Sequence, residues 1–205
     1  RSTLFPYTTL FRSLELRLGL FLYARIRRFG GDDRFDEITP DLWRFASVWT
    51  VQALWVSATA MAAWVVISAG GGALEWTGWL GYGLWVLGLG IEIRADIAKW
   101  KFKADPANAG RFIRDGLWSI SRHPNYLGEI LLWIGVFIIA APALRGAQWV
   151  AVLSPVFVII LLTRVSGIPL LERKADARWG GDTDYERYKA RTPVLVSSKD
   201  RKSVV

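Results

Sequence analysis

Gly116-Leu-Trp-Ser-Ile-Ser-Arg-His-Pro-Asn-Tyr-Leu-Gly-Glu129 separates two long apolar stretches in a chain of 205 residues. It gathers an arginine, the chain's only histidine, a proline, an amide, a phenol and a carboxylate. At a membrane boundary each of these groups must be paired or hydrated, so their concentration there points to a polar ligand site. On either side the apolar runs are continuous rather than alternating, which selects helices over strands. The expected fold is an all-α polytopic membrane bundle of four transmembrane helices plus a partial N-terminal one. The partial span is 14–23, interrupted by Glu15 and Arg17. The full spans are 45–69, 76–93, 126–143 and 149–171, set against the roughly 20 residues that a bilayer crossing needs. Gly70-Gly-Gly72 joins the first pair, and a turn around Pro142 and Gly146 joins the last.

Composition agrees with a membrane class. Hydrophobic residues make up 52% of the chain, with 12 Trp and a formal charge of +8; mean hydropathy is +0.25. In a soluble protein that charge would suggest a nucleic-acid surface, but here the basic residues cluster between apolar runs, so the expected partner is the bilayer and no nucleic acid. Segments 25–45, 94–126 and 171–196 hold five, seven and six Lys or Arg, whereas 70–75 holds none and 144–148 one. By the positive-inside rule the three basic segments are cytoplasmic. The expectation is an integral protein of a bacterial inner membrane whose site faces the cytoplasm. Tryptophans 43, 49, 76, 79, 100, 118 and 149 fall near the interfaces, as an aromatic belt would. Cysteine is absent, which excludes disulfides and thiolate chemistry, and one histidine leaves no metal site to expect.

The ends read differently. Residues 1–13 show no helical or strand period and look like translated sequencing-adapter sequence, and Arg201-Lys-Ser-Val-Val205 looks similar. Residues 1–13, and part of the 197–205 tail, are therefore expected to be non-native, leaving 14–196 as one membrane domain that lacks at least one upstream helix.

Polar residues on the spans define the candidate site. Glu92 and Asp96 are four apart and share a helix face, with Lys99 one turn beyond Asp96; they form either an interfacial charge ladder or one wall of a ligand site. Lys99, Lys101 and Lys103 face phosphates or anionic lipid heads. Pro124 suits the first turn of a helix, whose N-terminal N–H groups favour an anion, and Arg122 offers a bidentate phosphate contact. Asn125 and Glu129 project from one face, able to read a carboxamide or ribose. His123 is either structural or part of this cluster. Arg164 sits one turn inside the last boundary, either snorkelling or reaching a buried phosphate, and Gly167 and Pro169 break the helix beyond it. Tyr185 and Tyr188 lie on one face of a polar helix, against either the membrane surface or a cofactor.

Arg122-His-Pro-Asn-Tyr-Leu-Gly-Glu129, preceded by Asp105-Pro106 and followed by Ser166-Gly-Ile-Pro-Leu-Leu-Glu172 and Tyr185-Glu-Arg-Tyr188, resembles the DUF1295 branch of the steroid 5-alpha-reductase superfamily over roughly residues 14–196. That superfamily also holds sterol reductases and isoprenylcysteine carboxyl methyltransferases. The resemblance implies NADPH as hydride donor to a C=C bond conjugated to a carbonyl in a steroid-like or other lipid enone. It implies that Asn125 and Glu129 lie by the nicotinamide, and that Asp96 supplies an acidic contact from the preceding helix. Glu92 stands where the steroid enzymes carry asparagine. Arg164 matches a cofactor-contacting arginine, Lys103 falls near a phosphate-binding one, and Arg17 and Arg28 match two further arginines. With Arg122, His123, Tyr126, Glu172, Tyr185 and Tyr188 these complete the expected cofactor-binding set. The family's proton-donating glutamate and tyrosine lie on N-terminal helices, which leaves Tyr126 as the candidate catalytic phenol here. Two other readings stay open: an S-adenosylmethionine-dependent lipid or isoprenylcysteine-type methyltransferase, which shares Arg-His-Pro-x-Tyr-x-Gly, and a non-catalytic lipid-binding or scaffold protein.

Overall fold

The computed structural model describes residues 40–68 and 75–196, with six helical positions between 16 and 27. Segments 1–13 and 197–205, Arg17, Arg28, the Gly70–Gly72 link and most of the partial span 14–23 lie outside the described residues. Among the described residues there is no strand. The order is α1 (Leu42–Ser68), α2 (Trp76–Ala104), a 3-10 turn (Pro106–Asn108), α3 (Leu117–Ile120) and α4 (Pro124–Ala140), which runs on as a 3-10 turn (Ala141–Ala143). A second 3-10 stretch (Gly146–Val152), α5 (Leu153–Ile160), a π-helical turn (Leu161–Val165), α6 (Ile168–Trp179) and α7 (Thr183–Arg191) follow.

Three segments are long and apolar enough to cross a membrane: Leu42–Ser68, Pro124–Ala143 and Gly146–Trp179. The expected count of four differs at α2. That helix has ample length at 29 residues, but Gly, Trp and Tyr dilute its apolar half and charged residues fill its last turns. α2 belongs to the bundle by packing, because its interface with α4 is the most extensive among the described residues.

That interface rests on four glycines. A Cβ placed on Gly88 would lie 2.5 Å from Gly128 O, and one on Gly128 would lie 2.5 Å from Gly88 O and 2.7 Å from Glu92 N. One helical repeat away, a Cβ on Gly81 would meet Gly135 O at 2.7 Å, and one on Gly135 would meet Gly81 O at 2.6 Å. A step of seven up α2 matches a step of seven down α4, so the helices are antiparallel in a fixed register. Helices in lipid gain little from hydrophobic exclusion between them, and this close backbone approach supplies the packing contact instead. The seam was overlooked in the sequence, although its signal, two glycine pairs each seven apart, is present there.

α1 is peripheral, with 17% of its apolar window buried against 39% and 44% for the other two crossing segments. Its buried residues Ala62, Ala63 and Val66 pack with Trp85, Leu132 and Val136 in the main core. Fully buried Ser154 donates its hydroxyl to Thr59 O, tying α5 to α1. The helix break expected at Gly167 and Pro169 is present: the π turn ends at Val165, and α6 restarts with Pro169 in its first turn. A Cβ on Gly167 would press on Leu162 O at 2.6 Å, which keeps glycine at the break. The tryptophans at 43, 49, 76, 79, 100 and 149 are exposed as a belt requires, but Trp118 is not among them. It is 4% exposed and donates its indole N–H to Ala95 O (3.2 Å), anchoring α3 to α2.

The seam makes a sharp contrast between a glycine inside it and one outside it. Gly128→Leu drives a side chain into backbone that cannot yield, and we expect a loss of about 1–3 kcal/mol or more, read as a lowered melting temperature in detergent. Gly83, whose Cβ would meet nothing within 4 Å, should accept alanine with no loss, and equal damage at both positions would refute the seam.

Candidate functional site

The motif between α2 and α4 is built as a braced loop. Gly116 opens it at φ 60°, a conformation that side chains disfavour, and α3 follows. The backbone then meets the C-terminal strand of chain: Arg122 N–H donates to Pro193 O (2.9 Å) and His123 N–H to Val194 O (3.2 Å). Ser121 Oγ donates to Val194 O at 3.1 Å, and Leu195 packs on Ile130, Val158 and Leu162. Of these two N–H groups only that of His123, the cap of α4, belongs to the helix start, and it is taken within the protein. Pro124 begins α4, as its missing N–H favours, and Leu127 N–H closes the turn onto His123 O (3.1 Å).

Glu172, from α6, holds this loop from the other side. Its Oε2 lies 3.1 Å from an Arg122 terminal nitrogen, and its Oε1 accepts from His123 Nε2 at 2.7 Å. A carboxylate only accepts, so Nε2 carries the imidazole proton. The other Arg122 terminal nitrogen donates to Lys189 O (3.2 Å). The sequence assigned Arg122 to a phosphate, but both ends of its fork are engaged within the protein. What remains open is buried: Arg122 Nε, His123 Nδ1 and Asn125 Oδ1 have no hydrogen-bond partner among the described residues.

Tyr126 stacks on the His123 ring, with centroids 5.8 Å apart and planes 15° from parallel. Asp96 and Glu129 are both near enough for their charges to act on its phenol. The glycine register carries Glu92 level with Pro124, and Glu92, Asp96 and Glu129 each take part in a polar or electrostatic interaction. Arg122, His123, Asn125, Tyr126, Glu129, Asp96 and Glu172 thus form one neighbourhood with Glu92 on its wall. Lys103 is exposed at the end of α2, and Arg164 is exposed in the π turn, with no ion pair among the described residues. Lys99 instead caps the Trp118 ring, its ammonium 4.8 Å from the centroid.

The two tyrosines assigned to cofactor contact have their hydroxyls occupied. Tyr188 donates to Trp118 O (2.6 Å), and Tyr185 to Asp176 Oδ1 (2.8 Å), which also receives Lys189 Nζ at 2.6 Å. Burial pushes the Tyr188 phenol up to about 12. Burial, then the bond to Asp176, holds Tyr185 above its usual range. Among the described residues no group of three or more His, Cys, Asp or Glu is arranged to hold a metal.

A cleft of about 210 Å³ opens elsewhere, between the end of α2, the loop before α3 and the α6–α7 turn. None of the residues singled out in the sequence lines it. Its only advance signals were two glycine turns, at Gly110 and Gly180-Gly181, each adjoining an aromatic or basic residue.

Two comparisons with known proteins are empty and one is not. A family model described as "Protein of unknown function (DUF1295)" matches residues 7–192. No curated protein and no solved structure matches.

The tyrosine hydroxyls give a pH prediction. A phenol whose folded pKa is raised contributes stability that is complete below pH ~10 and is lost as pH rises through the folded value. Stability to denaturation should therefore hold to about pH 10 and decline toward 12. Tyr188→Phe should flatten part of that decline, while costing about 0.5–1.5 kcal/mol at neutral pH for the lost hydrogen bond. An unchanged alkaline limb would show that Tyr188 is not the group responsible.

Proposed function

The chain belongs to the DUF1295 family, and on that premise we propose that it is an NADPH-dependent membrane reductase acting on an activated C=C bond of a steroid-like or other lipid enone. The observation that carries this reading is the run of three buried polar atoms on residues 122, 123 and 125 that lack partners among the described residues. A buried polar atom without a partner costs about 1–3 kcal/mol, and a bound carboxamide would remove that cost at the sites it reaches. Asn125 Oδ1 accepts from an amide –NH2, and Arg122 Nε donates to an amide carbonyl. Those donors and acceptors suit a nicotinamide carboxamide.

In this reading NADPH supplies hydride to the double bond when bound. The residues of the chain orient and protonate. Glu172 fixes the tautomer and the plane of His123, and His123 in turn holds Tyr126 by stacking. Tyr126 then delivers a proton to the carbon next to the carbonyl or steadies the enone oxygen. Asp96 and Glu129 flank its phenol, and Glu129 sits one helical turn from Asn125 on the same face. The resemblance to steroid 5-alpha-reductases supports the hydride chemistry.

One observation favours a second reading. Both terminal nitrogens of Arg122 are engaged by Glu172 and Lys189 O, so the loop presents little positive charge, whereas Glu92, Asp96 and Glu129 bring three carboxylates. A sulfonium donor is cationic and suits carboxylates and an aromatic face. Methyl transfer from S-adenosylmethionine is the alternative that this arrangement keeps open.

Thermal melting of the detergent-purified protein with NADPH, NADH and S-adenosylmethionine separates the readings. A ligand at a hundred times its dissociation constant adds about 2.7 kcal/mol to a folded state that alone binds it. We expect NADPH to raise the melting temperature, and Asn125→Ala to weaken binding about tenfold, the value of ~1.4 kcal/mol. Protection by S-adenosylmethionine alone would replace the reductase reading with methyl transfer, and protection by none would leave the scaffold.

A further inference from the structure

His123 Nδ1 is the orphaned atom of the braced loop that the chemistry above leaves unused. The contacts given to a carboxamide fall to Arg122 Nε and Asn125 Oδ1, on either side of it in the chain. His123 is only 6% exposed, so bulk water does not satisfy its open nitrogen. In the tautomer that Glu172 imposes, Nε2 bears the proton and Nδ1 keeps a lone pair in the plane of the ring. Tyr126 lies against the face of that ring, 15° from parallel, and does not take up a lone pair directed out of its edge. A histidine that served only to brace a buried loop should have both nitrogens bonded. Here one is clamped and the other is left open.

The ring is also fixed in direction. Glu172 Oε1 holds Nε2 at 2.7 Å, and the His123 backbone N–H is shared between Val194 O and Ser121 Oγ, each at 3.2 Å. A carboxylate on one imidazole nitrogen, with the opposite nitrogen bare and aimed, is the arrangement that moves a proton in hydrolytic triads. Charged groups approach from every element packed on the ring. Glu172 comes from α6 and Arg122 from the loop itself. Lys189 of α7 acts on Glu172, while Asp96 of α2 and Glu129 of α4 act on Tyr126.

We propose that His123 Nδ1 is the proton-transfer atom of this site. The inference rests on the reductase reading for its chemistry, and within that reading it leaves Tyr126 to steady the enone oxygen. As imidazolium, His123 carries a second proton, on Nδ1. When hydride from NADPH reaches the β-carbon, the C=C electron pair moves toward the carbonyl as an enolate. The α-carbon of the enolate then takes the Nδ1 proton. The ring returns to the neutral form with the Nε2–H that Glu172 accepts, and regains its second proton from water. One hydride and one proton are consumed for each bond saturated.

The chain contains a single histidine, so ¹⁵N-labelled histidine gives the spectrum of one imidazole. In the detergent-purified protein we expect a protonated Nε2 and a bare Nδ1. Nδ1 should take up a proton reversibly as pH falls from ~8 to ~5, the range in which histidine switches. His123→Gln supplies the second arm, because its amide nitrogen still reaches Glu172 while nothing replaces Nδ1. Its melting temperature and its protection by NADPH should be kept. Its consumption of NADPH with progesterone should fall at least about a hundredfold, the low end for a general acid. Turnover that survives in His123→Gln, or an Nδ1 that takes up no proton short of unfolding, overturns the proposal and leaves the reductase reading intact. If His123→Gln melts early, the Nδ1 measurement on the unchanged protein decides alone. An unchanged protein that consumes no NADPH with progesterone counts against the reductase reading. Reversible uptake at Nδ1 would then keep His123 as the proton-transfer group of another reaction, and its absence would remove both.

Discussion

Where Gly88 meets Gly128, two helix backbones come closer than any side chain would permit, and the placement of the polar groups follows from that contact. Between helices in lipid, apolar exclusion contributes little, so association depends on fit. The repeat of the contact at Gly81 and Gly135 means that sliding or turning α2 on α4 would press side chains of neighbouring residues against backbone. Four residues beyond Gly88 comes Glu92, and four residues before Gly128 comes Pro124. The seam therefore sets the carboxylate-bearing end of α2 beside the first turn of α4, without any polar interaction having to bring them together.

The polar loop on that frame is held by groups distant in sequence, and their geometry limits what can bind. Glu172 takes one end of Arg122 and the Nε2–H of His123, Lys189 O takes the other end of Arg122, and the chain at 193–194 takes two backbone N–H groups. Breaking such a pair by removing one partner leaves a charge in a poorly hydrated place, which is expensive. The same bracing engages both ends of the Arg122 fork and the N–H of His123, the residue that caps α4. A site that read as anion-binding in the sequence is rich in carboxylates in the fold, with Arg122 Nε, His123 Nδ1 and Asn125 Oδ1 left without partners among the described residues. Under the readings proposed above, that difference favours an amide or a cationic group over a phosphate at the start of α4.

Much of the bundle was legible because apolar continuity and proline position are local properties. The break at Gly167, the start of α4 at Pro124 and the turns after Ala140 follow from backbone chemistry that one segment carries by itself. Trp118 shows where this fails. An interfacial tryptophan and one whose indole reaches Ala95 O look the same in sequence, and only the packing of α3 against α2 distinguishes them. Tyr185, Tyr188 and Arg122 pose the same problem. Each has hydrogen-bonding groups that read as ligand contacts until the fold brings Asp176, the Trp118 carbonyl or Glu172 alongside. α2 shows the converse, since its composition falls short of the other spans while its glycines give it, with α4, the most extensive interface among the described residues.

The rigid seam and the loop-built cleft differ in what holds them. Positioning near a reacting bond tolerates errors well below an ångström, and helices locked through their backbones can hold Asn125, Tyr126 and Glu129 to that tolerance. The cleft is built instead by the turns at Gly110 and Gly181, on connecting segments where sequence change is cheap. The aromatic contacts of Phe112 with both Trp179 and Tyr188 tie the cleft to the helix that bears Lys189, and through its carbonyl to Arg122. A continuous set of packed groups thus joins the cleft to the loop braced by Glu172.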